Sequence, residues 1–246
     1  MSFTVFKTPV IRSIFKLLSI IILKLTGWKF SEKKHFTKKA VMIAAPHTSN
    51  WDFFYTILIA LEQDMNVSWM GKDSLFKGPG GWFLKWLGGV PVDRSKNNNL
   101  VDDIVKEFNS REKFIILVPP EGTRSLVDSW KTGFYHIAHK AEVPILMGFL
   151  DFKFKVGGIG PAFIPSGKIE KDMKIIKSFY ANITGKYPEL TTLPTNTHTE
   201  NTVSKDMKTY NSTMIFPTNN PSAIDMSEIT SYYKGLINTV RPKSFM

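Results

Sequence analysis

The run Phe114-Ile115-Ile116-Leu117-Val118 constrains the fold most, because five consecutive apolar residues are too few for an ordinary helix and have the length of a buried strand. Shorter apolar runs of strand length recur at residues 40–45, 67–70, 90–92 and 145–152. Between them, residues 51–61, 74–87, 100–108, 131–141 and 170–183 carry apolar side chains at helical spacing, the second of these broken by Gly78-Pro79-Gly80-Gly81. Asn50 reads as the N-cap of the first, and Gly88-Gly89 as a turn. Strand and helix in alternation imply an α/β fold, a layered domain with a mixed, largely parallel sheet flanked by helices. With 246 residues, 43% of them hydrophobic and 22% charged, the chain has room for one such domain with an ordinary core.

The first 40 residues are of a different kind. They contain Lys7, Arg12, Lys16, Lys24, Lys29, Lys33, Lys34, Lys38 and Lys39 against Glu32 alone, a net +8 of the chain's +11. These cations interrupt and flank Val10-Ile11, Ile14-Phe15, Leu17-Leu18, Ile20-Ile21-Ile22-Leu23 and Leu25. A membrane span needs about 20 mainly apolar residues, and Arg12, Lys16 and Lys24 cut this stretch shorter. We expect an N-terminal amphipathic helix lying in a membrane interface with its lysines reaching lipid phosphates, each worth about 1 kcal/mol. A short or re-entrant span, a signal peptide and a plain core helix are the other readings. Leu25-Thr26-Gly27-Trp28-Lys29 lacks the small residues of a cleavage site. Nucleic acid is a weaker partner for the charge, since the cations surround an apolar helix and no binding motif occurs. The expected division is a membrane-anchoring segment at 1–39, a central domain at 40–190, and a polar tail at 191–246. The tail is rich in Thr, Asn, Ser and Pro, and we expect loop or disorder there with one short helix at 227–240.

The chain has no cysteine, which excludes disulfides and thiolate metal sites. Its five histidines (His35, His47, His136, His139 and His198) are scattered without metal-ligand spacing, so no metal is expected.

Chemistry concentrates in a few blocks. In His47-Thr48-Ser49-Asn50-Trp51-Asp52 the imidazole and carboxylate are five apart, about 140° around a continuous helix, and they meet only if the chain turns between them. A strand ending at Pro46 and a helix starting near Asn50 supply that turn. Asp52 can then accept the Nδ1 proton of His47 and leave Nε2 as a base suited to deprotonating an alcohol. The plainer reading is an Asp complementing a helix dipole beside a structural His. In Gly88-Gly89-Val90-Pro91-Val92-Asp93-Arg94, Arg94 would project past a short strand, either as a fork for phosphate or as half of a surface Asp–Arg pair. Pro120-Glu121-Gly122-Thr123-Arg124-Ser125 follows the buried strand, where α/β proteins hold ligands. Gly122, Thr123, Arg124 and Ser125 compose a phosphate cradle, with Glu121 organising an arginine or the loop backbone. Val143-Pro144-Ile145-Leu146 offers only an apolar wall.

In this order the four blocks resemble the glycerophospholipid acyltransferase family, whose familiar members are the 1-acylglycerol-3-phosphate acyltransferases, and the resemblance covers about residues 10–185. It implies an acyltransferase domain at 40–190 that moves a fatty acyl group from acyl-CoA or acyl carrier protein to the hydroxyl of a lysophospholipid-type acceptor in phospholipid biosynthesis. No cofactor is implied beyond that co-substrate. The resemblance assigns His47 as base and Asp52 as its partner, Arg94, Gly122 and Arg124 to the acceptor phosphate, Glu121 to support of their loop, and Lys72 as a further phosphate contact. It implies membrane lipids as partner and the cytoplasmic face of a membrane as location. Pro119 departs from the usual aromatic or aliphatic residue before this block. Trp51 and Trp130-Lys131-Thr132-Gly133-Phe134-Tyr135 suggest a bacterial subgroup. A non-catalytic peripheral lipid-binding protein and a thioester hydrolase on the same scaffold are the alternatives.

Overall fold

The structure, a computed structural model, describes residues 4–30, 37–92, 100–192 and the strand residues 214–215. The expected helix at 227–240 lies outside the described residues.

Among the described residues, the sheet's main path has seven strands: β1 (Lys29–Phe30), β2 (Lys39–Ala45), β3 (Val67–Lys72), β4 (Gly89–Val92), β5 (Phe114–Val118), β6 (Ile145–Asp151) and β7 (Val156–Phe163). Their order is β1-β7-β6-β2-β5-β3-β4, and the short β8 (Met214–Ile215) also pairs with β7. β6, β2, β5, β3 and β4 are mutually parallel, whereas β7 runs antiparallel to β6. The helices are α1 (Pro9–Leu25), α2 (Asn50–Glu62), α3 (Ser74–Lys77), α4 (Gly81–Trp86), α5 (Leu100–Ser110), α6 (Gly133–Lys140) and α7 (Ile169–Tyr180). The α/β class holds. The sequence reading places no strand at Val156–Phe163, because Gly157, Gly158, Gly160 and Pro161 suppress both period and propensity.

The central strands are buried on both faces, and their period of two sorts side chains into two cores. Val41, Ile43 and Ala45 of β2 face Ile104 and Phe108 of α5, Phe134 and Ile137 of α6, and Ile176 of α7. Ala40 and Met42 face the opposite layer, with Ile57, Ala60 and Leu61 of α2.

The N-terminal segment is built into this second layer. Val5 and Phe6 are buried in its core, and Leu23 and Trp28 pack with Leu58 and Leu150. Arg12 and Lys16 do not stand free at the helix edge as expected. Both donate to Asp64 in the turn after α2, at 2.8 Å and 2.5 Å. The other face of α1 leaves Val10, Ile14, Leu17, Ile21 and Leu25 exposed. Among the described residues, no helix is long and apolar enough to cross a membrane.

One buried polar knot ties α6 to α7. Asp172, fully buried, accepts bonds from the Tyr135 hydroxyl (2.6 Å), the Ser166 backbone N–H (2.7 Å) and the Ser166 hydroxyl (2.8 Å), while Gly167 N–H donates to the Tyr135 oxygen. Tyr135→Phe strands the Gly167 donor and one Asp172 acceptor, and we expect a loss of about 1–3 kcal/mol in urea unfolding at unchanged m-value. A loss below about 0.5 kcal/mol would show the knot to be dispensable.

Candidate active site

β2 is the switch point of the sheet, with β5 on one side and β6 on the other, and ligands of α/β proteins sit beyond such carboxyl ends. The chain leaves β2 through a cis Ala45–Pro46 bond and turns over His47 and Thr48 into α2. The N-cap is Ser49, one residue before the expected Asn50, because Ser49 and Asp52 form a reciprocal capping box. That shift leaves Asn50 on the cavity wall.

Asp52 is buried, and its two oxygens accept four bonds: Thr48 N–H (2.7 Å), Ser49 N–H (2.8 Å), Ser49 Oγ–H (2.9 Å) and His47 Nδ1 (3.1 Å). An ionised carboxylate only accepts, so Nδ1 carries the proton and Nε2 keeps its lone pair. The His47 side chain is 21% exposed, compared with 7% for Asp52, so the imidazole lies between the buried carboxylate and the opening.

A second carboxylate supports the same turn from behind. Glu121 accepts the His47 backbone N–H through Oε1 (3.3 Å), so it organises the histidine turn across the gap between β2 and β5. Its other oxygen is buried without a hydrogen-bond partner among the described residues. Burial pushes the Glu121 carboxyl from its ordinary 4.5 up to about 7, a rise opposed by backbone N–H bonds and His47.

His47 and Asp52 line a cavity of about 670 Å³ that also takes in Lys72, Gly122, Thr123 and Arg124. This lies within the roughly 300–1,000 Å³ of small-molecule sites. Its walls are otherwise mostly apolar, with Met42 and Ala44 of β2, Leu117 of β5, Ile59 and Ala60 of α2, and Val67 of β3. Six of the nine residues singled out from the sequence thus share one cavity, Glu121 holds the His47 backbone beside it, and Ser125 is not part of its lining. Arg94 lies outside the described residues. His136 and His139 sit on α6 and are not part of the cavity wall. Among the described residues, no cluster of His, Asp and Glu could hold a metal ion.

Two features escaped the sequence reading. Lys131 crosses the phosphate-cradle loop, with its Nζ 3.0 Å from where a Gly122 Cβ would stand, and Gly122 has a φ of +68° that favours glycine. The lysine in Trp130-Lys131-Thr132-Gly133, directly after the loop, was the available signal. The second is a strap at residues 184–192. Tyr187 N–H donates to Thr48 Oγ1 (3.1 Å), and a Cβ on Gly185 would come within 2.9 Å of the Thr48 methyl. Nothing periodic announces it.

The largely parallel α/β sheet presents at its switch point an imidazole oriented by a buried carboxylate, beside a mainly apolar cavity. Residues 27–147, just under half of the chain, match the protein family described as Acyltransferase. It is 29% identical over 122 residues to the 1-acyl-sn-glycerol-3-phosphate acyltransferase of Saccharomyces cerevisiae, an alignment covering 46% of this chain and 39% of the yeast protein. The chain therefore spans well under half the length of that curated relative. Its fold is similar to the crystal structure of the 1-acyl-sn-glycerophosphate (LPA) acyltransferase PlsC from Thermotoga maritima, with a TM-score of 0.50 and 20% identity over 68% of this chain and 76% of that one.

The Glu121 carboxyl sets a pH dependence. Between pH 4.5 and about 7 the folded chain holds a proton that the unfolded chain has released, so this contribution to stability is full below the lower value and is lost as pH rises through the upper one. Glu121→Gln is neutral throughout. We expect wild-type stability in urea to fall relative to the variant by on the order of 3 kcal/mol between about pH 4.5 and 8. Parallel profiles would show that no proton is held there.

Proposed function

We propose that the protein transfers a fatty acyl group from a thioester, acyl-CoA or acyl carrier protein, to the free hydroxyl of a lysophospholipid-type acceptor such as 1-acylglycerol 3-phosphate. The observation that carries this reading is the His47–Asp52 pair, 3.1 Å apart, on the wall of a mainly apolar cavity. The acyltransferase-family match and the likeness to the yeast enzyme support it.

In the proposed reaction His47 Nε2 takes the proton of the acceptor hydroxyl as its oxygen attacks the thioester carbonyl carbon. Asp52, held by three other donors, stabilises the imidazolium that forms. The tetrahedral centre collapses with cleavage of the carbon–sulfur bond, and the imidazolium proton passes to the departing thiolate. The products are an ester, a free thiol and the neutral histidine. Lys72, Arg124, Lys131 and the Thr123 hydroxyl supply cations and a donor for the acceptor phosphate, while the Gly122 N–H is given to Pro119 O. The exposed apolar face of α1 favours a membrane lipid surface as the place where donor and acceptor meet the protein.

The test is an assay with labelled acyl-CoA and 1-acylglycerol 3-phosphate. Label in diacyl product supports the reading, label only in free fatty acid points to a hydrolase, and no turnover with bound lipid points to a lipid carrier. His47→Ala should lower turnover by roughly 10²–10⁴-fold with unfolding temperature unchanged. Near-normal turnover would remove His47 as the base. Arg124→Lys replaces a fork by a point charge and should raise KM for the phosphorylated acceptor about tenfold while leaving kcat within about twofold. An unchanged acceptor KM would take Arg124 out of the phosphate site.

A further inference from the structure

Residues 74–86 make a small protrusion of two short helices, α3 and α4, joined by the exposed turn Gly78-Pro79-Gly80. Its outward side chains are large and apolar: Trp82 is 71% exposed, Leu75 53% and Phe83 42%. Phe76 is buried, and Leu75 and Leu84 line the cavity that holds His47. Leu75 is therefore both cavity wall and exposed surface, which places an opening of the cavity on this protrusion.

The protrusion is continuous with α1. Phe15 of α1 packs edge-on against Trp86 (5.5 Å between ring centres), Trp86 lies 5.7 Å from Phe83, and Phe83 lies 5.9 Å from Trp82. A chain of ring contacts thus joins the helix with the exposed apolar face to the aromatic tip. The charges around this surface have one sign in excess: the tip carries Lys77, which pairs with Asp73, and Lys85, and α1 carries Arg12, Lys16 and Lys24 with no acidic residue, Arg12 and Lys16 being paired with Asp64. An exposed apolar patch rimmed by cations fits a surface that is apolar inside and anionic at its boundary. Tryptophan at such a boundary sits with its ring among the lipid headgroups.

We propose that residues 74–86 form a second lipid-contact surface beside α1, which presses the cavity opening at Leu75 against an anionic bilayer so that an acyl chain can pass from the membrane into the cavity without crossing water. This rests on the acyl-transfer reading for the use of the cavity, but the contact itself does not need that reading. A second copy of this chain is the competing occupant of the patch.

The experiment uses the full chain and vesicles of phosphatidylglycerol and phosphatidylcholine. Trp82→Ser with Phe83→Ser is compared with Trp82→Leu with Phe83→Leu, and with Val10→Ser, Ile14→Ser and Leu17→Ser on α1, each checked for an unaltered unfolding temperature. The serine pair at the tip should lower the vesicle partition constant at least about tenfold, and the leucine pair should hold it within about threefold, since burial of apolar area drives the contact. With a bilayer-embedded acceptor the serine pair should slow acyl transfer, and with a short-chain acceptor dissolved in water it should leave transfer unchanged. Partition that falls only for the α1 variant overturns the second contact surface and leaves the acyl-transfer reading intact. Lost partition for the tip variant, in a protein that transfers no acyl group to either acceptor, upholds the surface and overturns the reading beneath it. Wild-type protein that ignores vesicles and forms a dimer abolished by the serine pair assigns the patch to a second copy and overturns the lipid proposal.

Discussion

The site depends on the four hydrogen bonds that converge on the Asp52 carboxylate. Two of them satisfy the backbone N–H groups of Thr48 and Ser49 in the strand-to-helix turn, and a third comes from the Ser49 hydroxyl. The fourth fixes His47. A capping box usually carries the longer Glu or Gln at its third position. The shorter Asp52 stays near enough to the turn for one of its oxygens to serve Thr48, Ser49 and His47 together. Helix initiation and imidazole orientation are one structural event, so the geometry of the His47–Asp52 pair is as firm as the fold around it. The negative charge also sits in the first helical turn, where the helix dipole favours it.

Glu121 shows what the same turn does to a carboxylate with fewer donors. It receives one hydrogen bond from the His47 backbone and keeps a buried oxygen with no partner among the described residues. Desolvation then dominates, and its carboxyl is pushed up to about 7. Two acids flank one histidine, one serving its ring and the other its backbone.

Much of this was legible in the chain. The apolar runs located β2, β3, β4, β5 and β6 within a few residues, and the turn between Pro46 and Asp52 was inferred from the impossibility of joining His47 and Asp52 along a continuous helix. What escaped was non-local or aperiodic. β7 is held in place by pairing with β6 over a glycine-rich segment whose own sequence favours no element. The Ser49 cap was written in the Ser-x-x-Asp spacing, yet Asn50 competed for it with equal intrinsic preference. Arg12 and Lys16 find Asp64 about fifty positions away, in a residue with a φ of 60°, and no pattern within α1 encodes that meeting. The contact of Tyr187 with Thr48 spans 139 positions and involves a backbone donor, which a sequence does not distinguish from any other.

The two layers around the sheet are finished differently, and this asymmetry ties the fold to the proposed chemistry. On one side α5 and α7 bury Ile104, Phe108, Met173 and Ile176 and carry Asp102, Asp103, Lys106, Glu170 and Lys174, as water-facing helices do. On the other, α1 is apolar on both faces, and its core-side cations are drawn to Asp64. A helix with apolar residues on both faces, interrupted by Arg12, Lys16 and Lys24, is ordinarily buried on both. Here only half of that burial comes from the protein, through α2 and the Phe15–Trp86 contact. The cavity lies on this same side, between α2 and the sheet, where Met42 and Leu117 point away from the charged layer. In the proposed reaction an acyl chain reaching His47 would approach through the layer that lacks a polar exterior. Burying Val10, Leu17 and Trp82 in an apolar medium would complete α1 and bring the substrate's own phase to the cavity in a single contact.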